Sequence, residues 1–285
     1  MSIVFLNGNY LPMSEAQISP MDRGFLFGDG IYEVIPTYNG RTVGFRPHME
    51  RMQHGLDALE IAFNIDQDEW LTITEQLIER NGGGNLGIYF HISRGADTSR
   101  NHAYPTAIAP TLFGFAFDIP SAPTADKHNC RHFRVSTTED LRWKRCHIKS
   151  TALLGNVMHY QFGHAQGNDE TILYNGNREL TEAAACNVFV IKNGIIATPE
   201  LDHQKLPGIT RSMLLTILRR DGSLPVQERV VTLDELRTAD EVWLTSSSKE
   251  VAPVIEIDGL PVGNGEVGDI WLAAQSLFEQ HRFDN

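Results

Sequence analysis

One lysine, Lys149, stands in the stretch CHIKSTALLG, which begins at Cys146 and otherwise holds residues suited to burial. An ammonium buried without a partner is costly and tends to shed its proton, and an unprotonated lysine is a nucleophile able to form a Schiff base. The plainer reading leaves Lys149 at the mouth of a helix with its head in water. The residues that follow, TALLGNVMHYQFGHAQG, read as a largely buried helix.

Four further stretches could do chemistry. In LPGITRSMLLTILRR a turn at Pro207-Gly208 opens a helix near Ile209 and Thr210, whose free N–H groups and positive dipole end favour a phosphate. TSSSKE, from Thr245 through Ser247, sets hydroxyls after a strand. LTEAAACNVFV places Glu182 in a loop between strands, followed by small residues that admit a flat ligand, and its carboxylate suits a protonated ring nitrogen. SRGADTSRNHAYP holds Arg100 and His102 one residue apart, on the same side of an extended segment, where they could clamp a carboxylate. Each also has a plainer reading as a helix start, a polar loop or a solvated charge. DRGFLFGDGIYEV joins a glycine-rich turn to a strand carrying Tyr32.

The histidines compete weakly. His128, Cys130 and His132 alternate, but His159 and His164 lie five apart on one helix, a poorer spacing than the four that converges on zinc. No metal site is expected, and no G-x-S-x-G elbow points to serine catalysis.

The elements that must position these residues are short. Asn7-Gly8-Asn9, Asn39-Gly40, Asn175-Gly176 and Asn193-Gly194 mark turns between apolar runs. Helices are predicted from about Pro47 to Phe63, Asp68 to Glu79, Ile209 to Arg220 and Val267 to His281. DIPSAPTADKH reads as a linker, giving an N-terminal domain over 1–118, a linker over 119–127 and a C-terminal domain over 128–285. Strands and helices mix without strict alternation, so the fold class is α+β in two domains.

A net charge of −12 and the lack of a basic run argue against nucleic acid or an anionic membrane as partner. Three scattered cysteines argue against a disulfide framework. With no signal-peptide pattern and no membrane-length apolar run, the expected location is cytoplasmic.

A nucleophilic lysine, a phosphate cradle and a carboxylate for a ring nitrogen are together what pyridoxal 5′-phosphate requires. The segments RGFLFGDGIYE, HMERM, RWKRCHIKS, LTEAAACNVF, LPGITR and LTSSSKEVAPVIEIDG, in that order, resemble the fold-type IV pyridoxal-phosphate aminotransferases, and most closely those acting on D-amino acids. The resemblance implies a smaller N-terminal α/β domain and a larger, barrel-like C-terminal domain. It implies that Lys149 forms the Schiff base and shuttles the proton, and that Glu182 pairs with the pyridine nitrogen. Arg51, Ile209, Thr210 and Ser247 would bind the phosphate, and Leu206 would pack on the ring. Tyr32 would line the substrate pocket, with Arg100 and His102 as a carboxylate trap supplied by the neighbouring subunit of a homodimer. The implied reaction is ping-pong transamination between D-alanine- or D-glutamate-type substrates and pyruvate or 2-oxoglutarate. Aminodeoxychorismate lyase, and branched-chain or (R)-amine transamination, remain alternatives on the same fold. One departure stands out: Ala183, Ala184, Ala185 and Cys186 replace the serines usual after the glutamate.

Overall fold

The computed structural model describes residues 2–284. By their contacts they divide into two units, 2–122 with Ile148–Leu153, and Pro123–His147 with Leu154–Asp284. The segment Ile148–Leu153, expected in the C-terminal domain, thus counts with the first unit. Its backbone is the reason: Ile148 joins the first unit's core, and Ser150 bridges Ile31 in antiparallel fashion.

The first unit holds β1 (Ile3–Leu6), β2 (Asn9–Pro12), α1 (Arg23–Phe27), β3 (Gly30–Tyr38), β4 (Arg41–Thr42), α2 (Phe45–Ala58), α3 (Gln67–Arg80), β5 (Leu86–Ser93) and β6 (Thr111–Asp118). Its strands form one antiparallel sheet in the order β2-β1-β6-β5-β3-β4. Asn7-Gly8 and Asn39-Gly40 carry positive φ at both central positions, the twist that closes a tight hairpin. Strand alternation then sorts the faces. Ile31, Ile35, Ile88, Phe90 and Ile92 meet Met49, Met52 and Leu56 of α2 and Ile73 and Leu77 of α3. The opposite face carries Tyr32, Tyr89 and Phe115, with Tyr89 5.7 Å from Tyr32 and 4.9 Å from Phe115 between ring centres. The first long helix ends at Ala58, short of the predicted Phe63, because Glu60 turns into the left-handed region (φ 54°).

The second unit holds β7 (Phe133–Glu139), α4 (Leu154–His164), β8 (Glu170–Tyr174), β9 (Leu180–Ala183), β10 (Asn187–Lys192), β11 (Ile195–Pro199), α5 (Ile209–Asp221), β12 (Val226–Arg229), α6 (Leu233–Arg237), β13 (Glu241–Ser246), β14 (Glu250–Ile257), β15 (Leu260–Pro261) and α7 (Asp269–His281). The strands run β12-β11-β10-β13-β14-β7-β8-β9, with β15 on β14, and the sheet curls until β9 lies back against β10 and β11. This is the barrel-like sheet the resemblance implied. Two expectations fail here. Glu182 lies on strand β9, not in a loop. Helix α4 is not largely buried: Leu154, Val157 and Met158 are 72%, 58% and 66% exposed, and only His159 and Gly163 are buried. Its apolar residues surround the helix without making a stripe, so composition alone suggested burial. Among the described residues no helix is long and apolar enough to cross a membrane.

Helix α7 is fastened by a buried acid. Glu250 Oε2 accepts from Gln275 Nε2 (3.0 Å) and Arg282 Nη2 (3.2 Å), and the same two donors reach Pro123 O. Glu250 Oε1 and Gln275 Oε1, both acceptors, are buried without a donor. Burial pushes the Glu250 carboxyl up to about 7 despite Arg282. Because the folded value lies above the ordinary 4.5, this contribution is fully present at low pH and is lost as pH rises through about 7. Glu250→Gln, a fixed mimic of the neutral acid, is therefore expected to raise stability by no more than about 1 kcal/mol at pH 5 and by up to roughly 3 kcal/mol at pH 8. Equal melting curves at both pH values would show that Glu250 is ionised throughout.

Candidate active site

In the first unit, Lys149 rides a segment pinned to the start of β3. Tyr32 N donates to Lys149 O (3.1 Å) and Thr151 N to Gly30 O (2.9 Å). Gly28, which ends α1 at φ +66°, lets this backbone pass: a Cβ there would stand 2.8 Å from Ala152 Cα. The half-buried Lys149 places Nζ 4.1 Å from the centre of the Tyr32 ring, close enough for a cation–π contact. Tyr32 and Glu33 are neighbours on one strand and so point to opposite faces. Glu33 looks into the core, where it accepts from Arg51 Nε and Nη2 (each 2.7 Å) and meets His48 Nδ1 at 2.7 Å. Burial alone would push Glu33 up, yet Arg51 and His48 hold it down to about 2. Arg51, singled out for a phosphate, is thereby fixed in orientation by two residues the sequence reading did not pair with it.

Arg100 and His102 are exposed in the loop between β5 and β6, and one ring gathers them. The Arg100 guanidinium lies 5.1 Å from the centre of Phe27, and the His102 ring 5.2 Å from it.

In the second unit, Glu182 is 5% exposed and fully engaged. Oε1 accepts from Arg142 Nη1 (2.6 Å); Oε2 accepts from Leu206 N (2.9 Å) and Asn187 Nδ2 (3.2 Å). Burial pushes the carboxyl up, and Arg142 opposes that push. Arg142 also grips Asp140 through Nε (3.0 Å) and Nη2 (2.8 Å). A carboxylate has about four acceptor positions, so three donors leave Glu182 one more, on Oε1.

Asn187 gathers the rest of this site. Its Nδ2 also donates to Leu206 O (2.9 Å), and it pairs across the sheet with Thr245. It packs so tightly on Gly208 that a Cβ there would fall 2.0 Å from Asn187 Oδ1. Gly208 caps α5 without any side-chain acceptor, leaving Ile209 and Thr210 at an uncapped N-terminus. The hydroxyls of Thr245 and Ser246 are buried with no partner, whereas Ser247, the residue singled out beforehand, is half-buried in the following turn. Uncapped N–H groups and orphaned hydroxyls are what a phosphate satisfies.

Comparison with known proteins decides the family. Residues 30–257 match the family described as Amino-transferase class IV. The chain is 36% identical over 282 residues to a D-alanine aminotransferase of Staphylococcus haemolyticus, covering 99% of this chain and 98% of that one. A D-alanine aminotransferase of Listeria monocytogenes is 33% identical over 277 residues, with 96% and 94% covered. The chain belongs to the class IV aminotransferases. A crystal structure of the Escherichia coli branched-chain amino acid aminotransferase superimposes with a TM-score of 0.89 at 22% identity, covering 98% of this chain and 93% of that one, which shows the shared fold.

Class IV aminotransferases imply pyridoxal phosphate, and this chain's residues fit it. They offer a half-buried lysine, a buried carboxylate with one acceptor position left, and orphaned hydroxyls in the same unit as an uncapped helix start. Sequence reasoning passed over Arg142 and Asn187, and of the hydroxyls in TSSSKE it singled out Ser247 alone. Arg142 and Asn187 lie inside quoted motifs, and an asparagine opening the strand NVFVI was the one legible signal of a polar duty there. Among the described residues no three acidic, histidine or cysteine side chains stand together to hold a metal ion.

The Arg142 side chain, 3% exposed, neutralises two buried carboxylates at once. Arg142→Met is expected to lower unfolding stability by about 3–5 kcal/mol at neutral pH, because it strands both acids. Urea denaturation measures this; a loss below about 1 kcal/mol, the range of an exposed pair, would remove the assignment.

Proposed function

We propose that this class IV aminotransferase exchanges amino groups between D-amino acids of the D-alanine and D-glutamate type and the 2-oxo acids pyruvate and 2-oxoglutarate. The observation that carries this reading is the Arg100–His102 pair gathered on Phe27, in a chain 36% identical to a D-alanine aminotransferase along nearly its whole length. Two donors one residue apart suit both oxygens of an α-carboxylate.

When bound, pyridoxal phosphate supplies an aldehyde and an electron-withdrawing ring. Lys149 is the residue assigned to hold that aldehyde and then to carry the proton between substrate Cα and cofactor C4′ through Nζ. Glu182 keeps a proton on the ring nitrogen, and its ties to Arg142, Asn187 and Leu206 keep the carboxylate from swinging away. Arg51, the helix start at Ile209 and Thr210, and Ser247 hold the phosphate. Leu206 packs against the ring and Tyr32 lines the pocket.

Arg100 and His102 are read as serving the active site of a second copy, which makes the enzyme a homodimer. The exposed apolar residues of α4 support this, since a lone soluble chain rarely leaves Leu154, Val157 and Met158 in water together.

The deciding experiment is the visible spectrum of the purified enzyme with added pyridoxal phosphate. Its absorption is expected to bleach with D-alanine, persist with L-alanine and return with 2-oxoglutarate. Bleaching by a branched-chain L-amino acid would move the enzyme to that specificity; pyruvate release from aminodeoxychorismate without an amino acceptor would make it a lyase.

The shared site is tested by mixing. Lys149→Ala is expected to be inactive, and Arg100→Ala to show a KM for D-alanine raised by ~10–100-fold. Hybrid dimers of the two variants would hold one wholly native site and recover activity at low D-alanine. If mixing restores nothing while hybrids form, each chain supplies its own trap.

A further inference from the structure

The buried residue Arg23, which the reaction does not use, stands under the loop that carries Arg100 and His102. It is 3% exposed and sits in the first turn of α1. Nη1 donates to Asn101 O (2.6 Å) and Ala103 O (3.4 Å), and Nη2 to His102 O (3.3 Å). Nε donates to Asp29 Oδ2 (2.7 Å). One guanidinium thus holds three consecutive carbonyls of a loop with no helix or strand of its own.

The anchor is itself anchored. Arg94 donates to both oxygens of Asp29, at 2.8 and 3.1 Å. Its remaining donors go to Glu60 O (3.0 Å) and Leu59 O (2.6 Å), and its guanidinium lies 3.6 Å from the centre of the Tyr104 ring, just beyond the held carbonyls. The two arginines hold Asp29 below the usual carboxylate range although burial opposes them. Arg23 also touches Phe27 (4.8 Å to the ring centre), the ring that gathers Arg100 and His102.

We propose that Arg23 is a positioning residue for substrate recognition: by holding the carbonyls of Asn101, His102 and Ala103 it sets the direction in which Arg100 and His102 meet the substrate carboxylate. The inference rests on reading that pair as the carboxylate trap. A guanidinium is suited to the task because its planar fork gives five donors in fixed directions. Lysine would keep the charge against Asp29 but offers one small, rotating head in place of the fork.

The test uses the cofactor-loaded enzyme and two variants, Arg23→Met and Arg23→Lys, with Arg100→Ala as control. Arg23→Met is expected to raise KM for D-alanine by ~10–100-fold while kcat stays within about twofold, because the chemistry at Lys149 and Glu182 is untouched. Arg23→Lys should fall between Met and the native residue, and it decides the matter if Arg23→Met does not fold. Independently of activity, trypsin should cut after Arg100 faster in both variants, since that bond leads into the first held carbonyl. An unchanged KM together with unchanged cleavage in Arg23→Lys overturns the assignment. So does a fall in kcat with KM unchanged, which marks loss of active enzyme and not of substrate recognition. Faster cleavage with no effect of Arg100→Ala on D-alanine would keep Arg23 as the loop's anchor and remove the trap reading instead.

Discussion

A carboxylate held inside the protein is the constraint from which much of the second unit follows. Burial pushes the carboxyl of Glu182 on β9 towards its neutral form. Arg142 opposes that drive, but a buried guanidinium has its own desolvation cost and brings Asp140 with it. The second oxygen takes the Leu206 N–H and the Asn187 amide. Those two donors fix the chain at 206–208 and therefore the start of α5. One buried side chain thus ties together the strand that carries it, the turn beside it and the start of α5.

Much of this fold was legible because its signals are local. Asn-Gly pairs gave their hairpins, and the apolar spacing of Met49, Met52 and Leu56 gave the buried face of α2. What was illegible is long-range in sequence. Glu33 and Arg51 meet across eighteen positions, and Arg142 and Glu182 across forty. Nothing in RWKRCHIKS says which of its basic residues turns inward; Asp140, just upstream, is the nearest hint. Helix α4 failed for another reason. Hydrophobicity says that a surface wants cover, and a single chain cannot say from where the cover comes. The Ile148–Leu153 segment failed likewise: its place was fixed by backbone bonds to Gly30 and Tyr32, which leave no trace in side-chain pattern.

The run Ala183–Cys186 offers no hydroxyl beside Glu182. Ala183 and Ala184 are buried and donate nothing from their side chains. Cys186 lies in a chain of contacts, accepting from Lys249 Nζ (3.4 Å) and donating to Glu170 Oε2 (3.5 Å). Burial pushes its thiol up to about 12, so it stays a neutral, weak donor. On β13, Thr245 and Ser246 keep buried hydroxyls without a partner.

Both units solve the same electrostatic problem with opposite arithmetic. In the first, Arg23 and Arg94 share the single carboxylate of Asp29, so positive charge is in excess. The donors left over are satisfied by backbone carbonyls at Leu59, Glu60, Asn101, His102 and Ala103, and what becomes rigid is loop backbone seen from its oxygen side. In the second, Arg142 is shared by Asp140 and Glu182, so acceptors are in excess. They recruit donors instead: Leu206 N, the Asn187 amide and the Thr181 hydroxyl. Donors and acceptors that the ion pairs leave over reach into the neighbouring backbone until they are satisfied. That is how a few charges, costly to bury, come to specify the shape of loops that have no hydrophobic reason to hold still.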